Sequence, residues 1–91
     1  FFWFSDDMNW VKEHIGASGD FRFVSIRTAH GDIDDMMLMK NCKHIITANS
    51  TFSWWAAQLN KHSDKIMIAP IRWFKSLFKD PNIFTESWIR I

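Results

Sequence analysis

Two short runs constrain this chain more than any other feature: HIITA (44–48) and KIMIA (65–69), which are apolar at nearly every position instead of alternating with polar residues. A strand with one face in water alternates, whereas a strand covered on both faces does not, and double cover is the condition of strands in a parallel sheet. Two further runs, FFWF (1–4) and FRFVSI (21–26), are rich in Phe, Ile or Val and bounded by polar or turn residues. They complete a set of four predicted strands.

The segments between the strands carry helical spacing. DDMNWVKEHIGASG puts Met8, Val11 and Ile15 on one face, offers Asp6 or Asp7 as N-cap and reaches Gly16 as a stop. DIDDMMLMKNC offers Asp32 as a cap, with acids in the first turn and Lys40 and Lys43 near the end, as the helix dipole favours. STFSWWAAQLN places Phe52, Trp55, Ala56 and Leu59 at i, i+3, i+4 and i+7, which predicts a buried Trp55 and leaves Trp54 on another face. The order is βαβαβαβα up to a tail, KDPNIFTESWIRI, expected to be mostly irregular from Asp80 onward and to pack back through Trp88 and Ile89. Right-handed crossovers then give an α/β fold, a Rossmann-like open parallel sheet with helices on both faces.

Ninety-one residues is one domain at most. The opening FFWF, with no initiator methionine, suggests a piece of something longer. Eleven basic against ten acidic side chains give no polybasic stripe, which disfavours nucleic acid or an anionic membrane as partner. No apolar run approaches the roughly 20 residues of a membrane span. Lone Cys42 forms no internal disulfide, and the scattered His14, His30, His44 and His62 show no metal-ligand spacing and are expected at or near the surface. Met36, Met37 and Met39 read as core filling and Cys42 as a small buried hydrophobe. Six Trp and nine Phe imply an aromatic-rich core.

Ligands of an open parallel sheet sit beyond the carboxyl ends of its strands. Those ends carry Ser5-Asp6-Asp7, Arg27-Thr28 leading to Asp32, Asp34 and Asp35, then Asn49-Ser50-Thr51, and finally Pro70 with Arg72-Trp73. Ser5, Asp35 and Ser50 are expected on one edge. A helix starting at Ser50 would aim free backbone N–H groups and the hydroxyls of Ser50 and Thr51 at an anion there. Asp6 and Asp7 serve equally well as helix caps or as supports for a ligand loop, and Arg72 could reach a phosphate or only solvent. Asn49-Ser50-Thr51 matches a glycosylation sequon, but a strand-to-helix junction is expected to hide it.

The block DMMLMKNCKHIITANSTFSWWAAQLN, followed by KIMIAPIRWF and preceded by FFWFSDDMNWVKEHI, closely resembles the C-terminal donor-binding part of the α-1,2-fucosyltransferases, glycosyltransferase family 11. The likeness covers nearly the whole chain. It implies that residues 1–91 are a partial nucleotide-sugar binding domain of a GT-B-like enzyme whose upstream half lies elsewhere. That enzyme would transfer L-fucose from GDP-fucose to a galactose-type hydroxyl of a glycan acceptor, inverting the anomeric centre with no cofactor and no metal. By the same resemblance Asp35 matches the guanine-reading aspartate, Ser50 and Thr51 with Asn49 the diphosphate end, and Phe52 the aromatic beside it. The arginine-rich HxRRxD motif of related fucosyltransferases does not occur here, so no catalytic residue is assigned and the piece alone is expected to be inactive. A bacterial cytoplasmic setting is favoured over a Golgi one, which would need an upstream anchor, and no oligomeric state is implied.

Two other readings compete. A receiver-like signalling domain would use Ser5-Asp6-Asp7 as its acidic site, but it needs a lysine at the carboxyl end of the last strand, where Pro70 stands while Lys65 opens KIMIA at the other end. A non-catalytic carbohydrate-binding or scaffold module would use exposed tryptophans, and nucleotide titration separates it from a donor-binding domain.

Overall fold

A computed structural model of the chain describes residues 1–15, 19–24, 29–75 and 82–91. It divides into two compact units, Phe1–Asp35 and Met36–Ile91, each described by itself.

The first unit holds β1 (Phe2–Trp3), α1 (Met8–Ile15), β2 (Arg22–Phe23) and the first residues of α2 (Gly31–Asn41). β1 and β2 pair in parallel, with Phe2 opposite Arg22 and Trp3 opposite Phe23. Parallel neighbours need a crossover between them, and α1 forms its helical part. The Asp7 carboxylate caps α1 by accepting from the Trp10 N–H at 3.1 Å, and the Asp7 N–H in turn donates to Ser5 Oγ at 3.0 Å. Val11 is buried, with Met8 and Ile15 half-buried on the same face, as the spacing predicts. Gly19 enters β2 at φ +122°, a conformation suited to glycine, and a Cβ there would also stand 3.1 Å from the Phe21 ring. Phe21 meets Phe1 and Trp3 at centroid separations of 6.0 and 5.9 Å. The stop at Gly16 and the strand end with Arg27-Thr28 lie outside the described residues.

α2 starts one residue before its expected cap. The His30 carbonyl accepts from the Asp34 N–H at 3.0 Å, so His30 holds the cap position and Asp32 lies inside the first turn. Asp32 and Asp34 lie in the first turn, where the helix dipole favours negative charge. Of the three methionines only Met39 is buried; Met36 is half-buried and Met37 exposed, so core filling describes one of them fully.

The second unit continues α2 and adds β3 (Ile45–Ile46), α3 (Thr51–Gln58), β4 (Met67–Ala69) and β5 (Ile89–Arg90). These strands form one sheet in the order β3-β4-β5, parallel throughout, with Ile45 opposite Met67 and Ile68 opposite Ile89. The tail expected to be irregular thus supplies a third strand. Trp88 is buried as expected, while Ile89 is exposed because successive strand residues point to opposite faces. Residues 71–75 form no helix where a fourth crossover helix was expected; its remainder at 76–79, like Asp80, lies outside the described residues. What the structure bears out is an α/β chain with three helices and short parallel sheets among the described residues.

α3 buries a different stripe from the one its apolar residues suggest. Ser53, Ala56, Ala57 and Asn60 are buried, the two alanines completely, whereas Phe52, Trp55 and Leu59 are exposed, Trp55 by 50%. Small side chains let the helix backbone approach the sheet closely, and Ala57 enters the core with Ile45, Met67, Ala69 and Trp88. The Ser53 hydroxyl loses no hydrogen bonding on burial, since it lies 3.1 Å from the Ser50 carbonyl and 3.4 Å from that of Ala48. Trp54, not Trp55, packs against that core, and its indole N–H donates to the Ile83 carbonyl at 3.2 Å.

Asn60 closes the far end of α3. Only 3% exposed, it donates from Nδ2 to the Cys42 carbonyl and accepts the His62 N–H on Oδ1 at 2.9 Å, while its own carbonyl takes Lys65 Nζ at 2.6 Å. One side chain therefore joins the end of α2 to the turn before β4. Cys42 is half-buried against the core, and burial pushes its thiol pKa up.

Candidate functional site at the carboxyl ends of the strands

In the second unit the loop after β3 runs directly into α3. Ser50 takes the N-cap position in extended conformation, φ −134° and ψ 129°, and its carbonyl accepts the Trp54 N–H at 3.0 Å. Its hydroxyl makes no capping bond. A serine at this position ordinarily turns its hydroxyl onto the first-turn amides; here the hydroxyl is left for another acceptor or donor. Thr51 and Phe52 are exposed beside it, and Trp54 and Trp55 meet edge-on at 4.9 Å behind it.

The loop after β4 is bound to that junction. Asn49 donates from Nδ2 to the Trp73 carbonyl at 3.2 Å. Asn49 is exposed, so the sequon is not hidden as expected, although the nitrogen a glycan would occupy is engaged. On its other side the loop is held by β5. Arg90 donates to the Pro70 carbonyl from Nε and Nη2 at 3.2 and 2.8 Å and to the Ile71 carbonyl at 3.0 Å. The guanidinium lies 3.7 Å over the Phe84 ring, which itself meets Trp73 and Trp88 edge-on at 5.3 and 5.2 Å. Arg90 and Asn60 are the structural residues that sequence reasoning missed. Their partners are backbone carbonyls 20 and 18 residues away, and nothing in local spacing points to them.

In the first unit Asp35 sits in the opening turns of α2, half-buried. Its Oδ1 is shielded from solvent and has no hydrogen-bond partner among the described residues. Burial, then the neighbouring charges of Asp32 and Asp34, push its carboxyl pKa above the ordinary value. An acceptor oxygen withdrawn from water without a donor is costly to the free protein, and a ligand donor would relieve that cost. Asp35 belongs to the first unit and residues 49–52 to the second, so the two groups are described separately. Among the described residues no group of three or more His, Cys, Asp or Glu is placed to hold a metal ion, and the four histidines are exposed.

The chain is α/β with short parallel sheets, and polar residues follow the ends of β3 and β4. The profile described as Glycosyl transferase family 11 matches residues 1–91, and the chain belongs to that family. It is 38% identical to the O-antigen biosynthesis glycosyltransferase WbnK of Escherichia coli, over 97% of this chain and 29% of the relative. It is 41% identical to an alpha-1,2-colitosyltransferase of Escherichia coli, over 100% of this chain and 32% of the relative. A galactoside alpha-(1,2)-fucosyltransferase 1 of Aotus azarae is 33% identical over 96% of this chain and 25% of its own length. The chain thus spans about a third or less of these relatives. No solved structure matches it. Membership in this family removes the signalling-domain reading, and the resemblance carried by NSTFSWW is borne out.

Proposed function

We propose that the chain is the donor-binding part of an inverting, metal-independent glycosyltransferase that forms an α-1,2 linkage from GDP-fucose to a galactose-type hydroxyl. The observation that carries this reading is the family match over the whole chain, together with relatives whose names share the α-1,2 linkage. The short parallel sheets support a part of a Rossmann-like domain in a GT-B-like enzyme, with the rest supplied by chain outside these residues.

Each site residue then has a task. Asp35 accepts from guanine N1–H and the exocyclic amino group as a bidentate, charge-assisted pair. Ser50, Thr51 and the first-turn amides of α3 meet the diphosphate, and Phe52 packs beside it. The acceptor oxygen attacks the anomeric carbon as the bond to the β-phosphate oxygen breaks, and GDP leaves with the bonding electrons. The acceptor proton passes to a base outside these residues. Charge grows on the diphosphate during the step, so donors fixed on a helix start act most strongly in the transition state.

A second reading changes only the sugar: the name of the 41% identical relative specifies colitose. The protein carrying this chain, supplied with GDP-fucose or GDP-colitose and a galactoside, should yield an α-1,2-linked product from at least one donor, identified by NMR of the glycan. Glycan binding with no transfer from either donor would leave the carbohydrate-binding alternative standing.

A further inference from the structure

The four residues that follow β4 are fixed far more firmly than an exposed loop requires. The Ile71 N–H donates to the Ile91 carbonyl at 2.6 Å. The Pro70 and Ile71 carbonyls are bridged by Arg90, and the Trp73 carbonyl is held by Asn49. The Trp73 ring is buried against Phe84. Arg72 is different: it is exposed and makes no hydrogen bond or ion pair with the described residues. Ordering a loop costs conformational entropy, and holding one from two sides preorganises whatever side chain it carries. The charged side chain carried here is Arg72, and Asn49 ties its loop to the residue immediately before Ser50.

We infer that Arg72 is the cation in this chain that binds the donor diphosphate, with Asn49 as the residue that positions its loop. The inference rests on the proposed function above. Guanidinium suits the role because its planar fork matches two phosphate oxygens at once and stays charged at any working pH. It also offsets, within these residues, part of the charge that grows on the leaving diphosphate.

The test compares guanosine with GDP on the full-length protein carrying this chain, by calorimetric titration. The wild type should bind GDP more tightly than guanosine. Arg72→Ala should weaken GDP roughly ten- to a hundredfold while leaving guanosine unchanged, the range for losing a charged hydrogen bond, and unchanged guanosine affinity shows that the variant is folded. Arg72→Lys should restore part of the loss. Asn49→Ala should weaken GDP in the same sense, and the double variant should lose less than the two single losses combined, because both act through one loop. Equal affinity of the wild type for guanosine and GDP would remove the diphosphate reading itself. A wild type that prefers GDP, with an Arg72→Ala variant that keeps the same preference, would overturn the role of Arg72 alone.

Discussion

At the scale of single residues, the adjacent tryptophans divide their work in the opposite way to their spacing. Two stripes share the interval i, i+3, i+4, i+7 on α3, one starting at Phe52 and one at Ser53, and hydrophobicity alone selects the first. The structure selects the second because Ala56 and Ala57 permit a close helix-to-sheet approach and Ser53 carries its own hydrogen bonds inward. Trp54→Ala should therefore cost about 3 kcal/mol, near the low end for large aromatic deletions, and Trp55→Ala less than about 1 kcal/mol in the absence of ligand. Urea midpoints give the order, and a larger loss at Trp55 would contradict this packing. Asp35 yields a pH prediction. Its folded pKa is raised above the unfolded one, so the folded state holds that proton more tightly. The ionised carboxylate costs stability at all pH above the folded pKa, and the cost fades as pH falls through that value towards the unfolded one. Asp35→Asn should raise the melting temperature at pH 7, with the advantage shrinking at acid pH. A variant less stable than wild type at pH 7 would mean that the charge is stabilised in the folded protein.

At the scale of elements, the sequence carried the α/β alternation because short apolar runs and capped helices leave local marks, as Asp7 before α1 does, but the cover expected on both faces of HIITA does not hold, since Ile46 in β3 is 65% exposed. It did not carry β5, whose parallel place beside β4 depends on partners some twenty residues distant. Nor did it show that the tail secures the loop after β4. Arg90 does so by bridging two carbonyls while lying over Phe84, a geometry lysine cannot reproduce. Arg90→Lys should accordingly destabilise the protein by about 2 kcal/mol, the scale of lost charged hydrogen bonds. A change in unfolding midpoint indistinguishable from zero would show that this loop is held by other means. The junction at 49–52 was legible because a strand end running into a helix start is itself a local pattern. The engagement of Asn49 with Trp73 was not, since it joins loops 24 residues apart.

At the scale of the whole molecule, no helix among the described residues is long and apolar enough to cross a membrane. The proposed absence of a metal gives a direct expectation: transfer by the full-length protein should be unchanged by EDTA, and loss of activity restored by a divalent cation would contradict it. The central proposal is that Asp35 reads the guanine of the donor. It is tested most directly by titrating the full-length protein with GDP and with ADP, as wild type and as Asp35→Ala. The account predicts that wild type binds GDP at least tenfold more tightly than ADP, because adenine offers no matching pair of donors and leaves the carboxylate unpaired, and that Asp35→Ala abolishes the difference. Equal binding of GDP and ADP by the wild type, or a preference for GDP that survives Asp35→Ala, would contradict it.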